Sequence, residues 1–201
     1  QSGLAQDGMN GTDTLVNVDM LIGGSGNDLL SGGGQSRDVA GNFYEVFRGG
    51  AGNDTLDGGA LFNGGYSNTP NAIFSHDRAD YGSNTSTQAV QVNLATGQAS
   101  DGQGGTDTLI GITQAYGGAG NDSFTGSWQR DTFDGGAGND TINGGQGNDV
   151  ARYWQSTNGV IVNLSNVDLV ITAATNPVTN LAGSKTVASN TAYDGMGGTD
   201  S

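Results

Sequence analysis

The sequence predicts an all-β solenoid, a flattened coil of short strands, on three observations. A nine-residue period recurs along the chain. Each strong block carries Asp at its sixth place and an apolar or small residue at its eighth, and ordinary core residues are scarce. Of 201 residues 38 are Gly, Leu, Ile, Val and Phe together make about 19%, and the formal net charge is −14. That combination alone predicts disorder, so something other than a large apolar interior must hold the chain. Every acid except Glu45 is Asp, which resists helices and suits turns or ligation.

Composition also excludes several classes. Gly lacks a three-residue period and Pro occurs only at Pro70 and Pro177, so a collagen helix is excluded. No apolar run approaches the roughly 20 residues that cross a bilayer, so membrane insertion is not expected. Six basic residues against 20 acids repel nucleic acid and anionic lipid. Absence of Cys removes disulfides and thiolate zinc sites. Catalysis is not expected: His76, the single imidazole, has no metal-binding or nucleophilic partner motif and reads as a surface loop residue, and no nucleophile elbow occurs. The chain opens at Gln1 without a charged and apolar leader, so any targeting signal is expected to lie outside it or to have been removed.

The strongest repeats come next. Residues 117–152 divide into GGAGNDSFT, GSWQRDTFD, GGAGNDTIN and GGQGNDVAR, with Phe124, Phe133, Ile142 and Ala151 at the eighth place. Further copies are GGSGNDLLS at 23–31 and GGAGNDTLD at 49–57, with looser ones at 8–16, 32–40 and 102–110. Adjacent glycines reach positive φ cheaply, so six residues reverse direction and three make a strand. Two blocks then form one coil of 18 residues, with the eighth-place side chains stacked as a thin core. Turns one coil apart superpose, which puts Asp122 over Asp140 and Asp131 over Asp149. Carboxylates so placed repel unless a cation separates them. A turn of carbonyls and Asp offers only oxygen, which suits calcium over magnesium or a transition metal.

These blocks resemble GGxGxDxUx, the calcium-binding nonapeptide of the RTX (repeats-in-toxin) proteins. The resemblance implies a right-handed parallel β-roll with several calcium ions between stacked turns. It also implies that one turn supplies its second and fourth carbonyls and its Asp, and the next turn its first and third carbonyls and its Asp. One ion would then meet Gly118, Gly120, Asp122, Gly135, Ala137 and Asp140, in turns completed by Gly117, Ala119, Gly136 and Gly138. A second would meet Ser127, Gln129 and Asp131 above Gly144, Gln146 and Asp149, with Gly145 and Gly147 in the same turn; loss of glycine in GSWQRD is expected to weaken this site. Gly24, Gly26 and Asp28, with Gly49, Gly50, Ala51, Gly52 and Asp54, have the right types, but their blocks are 26 residues apart rather than 18. The insert 41–48 is therefore expected to extend a strand or bulge out and leave a less regular site. Asp107, in the degenerate block, is a further candidate ligand.

A longer repeat overlies the short one. DGMNGTDT at Asp7 returns as DGQGGTDT at Asp101 and DGMGGTDS at Asp194, and GTDT is expected to open each unit. The expected division is 1–6 as the end of a preceding unit, 7–100 and 101–193 as two repeat units, and 194–201 as the start of another. Residues 88–94 and 158–164 read as strands that continue or close each roll. Trp128, Trp154, Tyr116 and Tyr153 read as caps over the thin core. Segment 165–193 is expected to be an extra hairpin or an interaction loop, with 59–76 as its counterpart.

The resemblance implies a segment of a large secreted or cell-surface bacterial protein, of the adhesin, S-layer or filament kind, that stiffens on binding extracellular calcium. The alternative is a non-catalytic module of a secreted protease, lipase or alginate epimerase. Head-to-tail or lateral association between copies is a further expectation, because solenoid ends and strand edges can pair.

Overall fold

The computed structural model describes residues 2–6, 12–16, 18–32, 44–59, 76–156, 161–164, 167, 169–171, 185–187, 191–193 and 199–201. Two sheets stack face to face. One has six parallel strands in the order Val150–Arg152, Thr132–Asp134, Gln114–Tyr116, Arg78–Asp80, Val46–Arg48, Met20–Ile22. The other has seven, in the order Thr141–Asn143, Ser123–Thr125, Gln91–Asn93, Gln98–Ser100, Thr106–Ile110, Thr55–Asp57, Leu29–Ser31. From Met20 to Asn93 and again from Gln114 to Arg152 successive described strands alternate between the two sheets, as in a coil of short strands.

Each three-residue strand points its middle side chain inward, and these residues stack by register. Leu21, Phe47, Ala79, Ala115, Phe133 and Ala151 form one column. Leu30, Leu56 and Leu109 lead the facing column; the antiparallel register then sets Ala99 opposite Asp107, and the column continues from Ala99 through Val92 and Phe124 to Ile142. Phe124 and Phe133 meet across the layer at 5.6 Å between ring centroids. The column thins at its C-terminal end, where Ala151 is exposed.

Part of the expected architecture is revised. The seven-stranded sheet is not wholly parallel: Gln98–Ser100 runs antiparallel between Gln91–Asn93 and Thr106–Ile110. The intervening turns, around Gly97 (φ +68°) and Gly102 (φ +73°), are short enough for hairpins. The segment 161–163 is placed as 91–93 is, one antiparallel strand away from a GTD phrase that bonds to a nonapeptide turn. It pairs antiparallel with Thr191–Tyr193, which pairs in turn with Thr199–Asp200. Leu169–Ile171 and Lys185–Val187 make the extra hairpin foreseen in 165–193. The insert 41–48 contributes a core strand, and Phe47 is fully buried. Of segment 59–76, the counterpart expected for 165–193, residues 60–75 lie outside the described residues, as do residues 33–40 of the loose block 32–40.

The aromatic caps are also corrected. Trp128 and Trp154 are 53% and 69% exposed, whereas Tyr116 is buried on the outer face of the six-stranded sheet. Arg78 lies over the Tyr116 ring at 4.3 Å and pairs with Asp80 at 3.2 Å, and Arg152 donates to the Tyr116 hydroxyl at 2.8 Å. His76 is half-buried rather than a surface residue. Among the described residues no helix is long and apolar enough to cross a membrane.

Three antiparallel pairings share one register. Asp13 faces Ala5, Asp107 faces Ala99 and Asp200 faces Ala192. Each pairing carries a GTDT or GTDS phrase on its second strand.

Candidate metal centre

The turns between the sheets superpose through two ladders of side-chain hydrogen bonds. In the first, an Asp Oδ1 accepts the backbone N–H of the equivalent residue one coil earlier. Asp28 N–H reaches Asp54 Oδ1 at 2.8 Å, Asp122 N–H reaches Asp140 Oδ1 at 2.8 Å, and Asp131 N–H reaches Asp149 Oδ1 at 3.0 Å. The GTDT and GTDS phrases continue it: Asp54 N–H donates to Asp107 Oδ1 and Asp140 N–H to Asp200 Oδ1, each at 3.0 Å. The second ladder runs the other way through the Asn beside each Asp. Asn27 Oδ1 accepts from Asn53 N–H, and Asn121 Oδ1 from Asn139 N–H, both at 2.9 Å. Asn53 and Asn139 then accept from Thr106 and Thr199 at 2.8 and 2.7 Å.

Sequence reading missed the Asn ladder, although an Asn stands before the Asp in every strong block. It also missed Asp77, whose Oδ1 accepts from Glu45 N–H at 2.8 Å in the opposite row of turns.

The expectation of an irregular site at 23–54 is overturned. Ala51 N–H donates to Gly24 O at 3.0 Å, as Ala137 N–H does to Gly118 O at 2.9 Å. The surplus residues fall in sequence between Leu29–Ser31 and Val46–Arg48, so neither of the two stacked turns contains them. The Ser127 turn also stacks, with Gln146 N–H on Ser127 O at 3.0 Å. There the Ser127 hydroxyl donates to Asp131 Oδ2 at 3.0 Å, a bond that glycine cannot make.

Three equivalent oxygen-lined cradles result. A Cβ on Gly117 would strike both Asp122 Oδ2 and the carbonyl oxygen of Gly135. A Cβ on Gly23 would meet Asp28 Oδ2 and Gly49 O, and one on Gly126 would meet Gly144 O and Asp131 Oδ2. The missing side chain therefore keeps open the spot where a carboxylate and the next turn's first carbonyl converge. Positive φ at Gly50, Gly136 and Gly145 turns the carbonyls of successive coils toward one another.

Charge in these turns is costly. Asp54, Asp122 and Asp131 are all but fully buried, and burial raises each carboxyl above the usual Asp range despite backbone donors that lower it. Burial pushes Asp107 furthest, to about 6. Asp54 Oδ2 and Asp131 Oδ1 are buried and accept no hydrogen bond. Such atoms are expensive unless something positive meets them. Among the described residues no three His, Cys, Asp or Glu side chains converge, so any ion here relies on carbonyl oxygens as well as Asp. Hard oxygen donors with little fixed geometry fit calcium.

Comparison with known families matches residues 17–36, 40–60 and 116–151 to the RTX calcium-binding nonapeptide repeat, in four copies. The chain carries RTX calcium-binding nonapeptide repeats. No curated protein matches it.

Within the RTX repeats, Gly118, Gly120 and Asp122 lie over Gly135, Ala137 and Asp140. Ser127, Gln129 and Asp131 lie over Gly144, Gln146 and Asp149, and the turn of Gly24, Gly26 and Asp28 lies over that of Gly50, Gly52 and Asp54. Asp107 has both oxygens engaged by protein donors, as Asp122 does through the Val90 and Gly118 N–H groups. Its Oδ1 accepts from Asp54 N–H and its Oδ2 from the Tyr81 hydroxyl at 2.8 Å. When bound, calcium supplies the positive charge that lets the stacked carboxylates stay ionised. The chain's own part is to hold the carbonyls inward, exclude water from the buried Asp oxygens and fix their spacing by the two ladders.

Proposed function

We propose that this chain is a calcium-dependent structural segment of a large secreted or cell-surface bacterial protein, of the adhesin, S-layer or filament kind, with no catalytic role of its own. The observation that carries the reading is continuity: one six-stranded parallel sheet runs from Met20–Ile22 to Val150–Arg152 through both groups of nonapeptides. Such a stack transmits force along its axis, because each coil is bonded only to its neighbours. Its acidic side chains serve the turns, and its inner layer is thin. Calcium binding then becomes folding free energy, so the chain is loose where calcium is scarce and stiff outside the cell. Association between copies, head to tail or side by side, follows from the same strand edges.

Electron micrographs and small-angle scattering of the full-length protein, with calcium and with chelator, test the reading. A rod that shortens and loosens in chelator is expected. A compact particle of unchanged shape, with this chain appended to a catalytic domain, would instead make it the non-catalytic module of a secreted enzyme.

A further inference from the structure

At the junction between the first nonapeptide stack and the hairpin of residues 98–110, the pattern of carboxylates changes. Asp107 takes the ladder position, but its Oδ2 is capped by Tyr81. Six residues earlier Asp101 is 0% exposed, and its two oxygens have different fates. Oδ1 accepts the N–H groups of Gln103 and Gly105 at 2.7 and 2.8 Å. Oδ2 is buried and accepts nothing. It points to the spot above Gly105, where a Cβ would lie 2.8 Å from it and would strike the carbonyl oxygen of Gly52. Two oxygen acceptors thus face one space that no protein donor enters. Asp54 Oδ2, in the turn that supplies Gly52, is likewise buried without a donor, and the Asp101 charge helps to raise the Asp54 carboxyl.

Like the cradles at Gly117, Gly23 and Gly126, this one pairs a carboxylate with a carbonyl of the adjoining turn, but the carbonyl is the fourth of the preceding turn and the carboxylate oxygen has no protein donor. Asp101 lies outside the matched nonapeptides. Burying an ionised oxygen beside a carbonyl oxygen is unfavourable unless a cation sits between them. We propose that Asp101 Oδ2 and the Gly52 carbonyl hold an additional calcium ion at this junction, and that Asp101 replaces Asp107 as its carboxylate ligand. Asp7 and Asp194 occupy the same place in the other two DGxxGTD phrases.

The inference rests on the calcium reading of the repeats, and one experiment separates the two. Bound calcium is counted by equilibrium dialysis and isothermal titration for the whole chain, for Asp101→Asn and for Asp107→Asn. Asn keeps the acceptor that Gln103 and Gly105 need. The expected result is one ion fewer per chain in Asp101→Asn and an unchanged count in Asp107→Asn. If the unaltered chain binds no calcium, the calcium reading fails. If it binds calcium and Asp101→Asn loses none, this inference alone fails. Should Asp101→Asn not fold, anomalous diffraction from the unaltered chain grown with calcium decides. A peak at about 2.4 Å from Asp101 Oδ2 supports the site, and its absence there, with peaks in the other turns, overturns it.

Discussion

The nonapeptides at 117–152 and those at 23–57 differ in spacing yet build the same turn. In the later group successive turns are 18 residues apart, and in the earlier one 26. Both nevertheless form the Asp ladder at 2.8 Å and the Asn ladder at 2.9 Å. The turn chemistry sets the register, and the surplus residues fall in sequence between Leu29–Ser31 and Val46–Arg48 rather than within either turn. At the junction with 98–110 the partner lies 53 residues on, and the same ladders still form. What changes there is the donor to the Asp Oδ2, a Tyr81 hydroxyl at Asp107 where Asp122 has the Gly118 N–H.

The largest effect that breaks this comparison is expected from Asp140, which accepts from one turn and donates to the next. Asp140→Ala leaves the buried Asp122 N–H without its acceptor, a loss of about 1–3 kcal/mol before any calcium is lost. Asp140→Asn keeps the acceptor and loses the charge. Urea midpoints at saturating calcium should therefore fall in the order unaltered chain, Asn, Ala; equal midpoints for Asn and Ala would show that the ladder contributes nothing.

Glycine substitutions sharpen the comparison between spacings. Gly50 and Gly136 have φ of +106° and +88°, and a Cβ on either would strike the carbonyl of the preceding turn, Gly24 or Gly118. Gly50→Ala and Gly136→Ala should each cost about 1–3 kcal/mol, and by the same amount if the two turns are equivalent. Thermal melts with calcium that shift for Gly136→Ala alone would show the earlier turn to be looser.

Tyr81→Phe acts only at the junction. It strips the donor from Asp107 Oδ2 and should destabilise the fold by about 1–2 kcal/mol while leaving the turns of 117–152 protected. Amide hydrogen exchange reads both regions at once, and uniform loss of protection would contradict a local role.

The smallest expected effect is a pH response of the calcium-free chain. Burial holds the folded Asp107 carboxyl at about 6, above the usual Asp range. The folded state therefore holds the proton more tightly than the unfolded chain. This group's stabilising term is complete below the unfolded value and is lost as pH rises through about 6. Residual β signal in calcium-free buffer should be greater at about pH 5 than at about pH 7.5, and the opposite trend would show that Asp107 is not buried as described.

Much of this was legible because the spacing of Asp122, Asp131, Asp140 and Asp149 is uniform, and a constant period fixes which turns superpose. The pairing of Asp28 with Asp54 was obscured by eight extra residues, since spacing does not reveal on which edge an insert is stored. Gln98–Ser100 escaped because a three-residue antiparallel strand has no period of its own. Tyr81 gave no signal because it meets Asp107 across 26 residues. Trp128 and Trp154 were misplaced because an aromatic residue in a turn looks the same in sequence whether it caps a core or faces water.

The most direct test of the central claim is far-ultraviolet circular dichroism of the whole chain at neutral pH, in chelator and then with calcium or magnesium added. If metal between stacked turns supplies the folding free energy, the β signal is lost in chelator, returns with calcium and does not return with magnesium. A full β spectrum that persists in chelator would contradict the account.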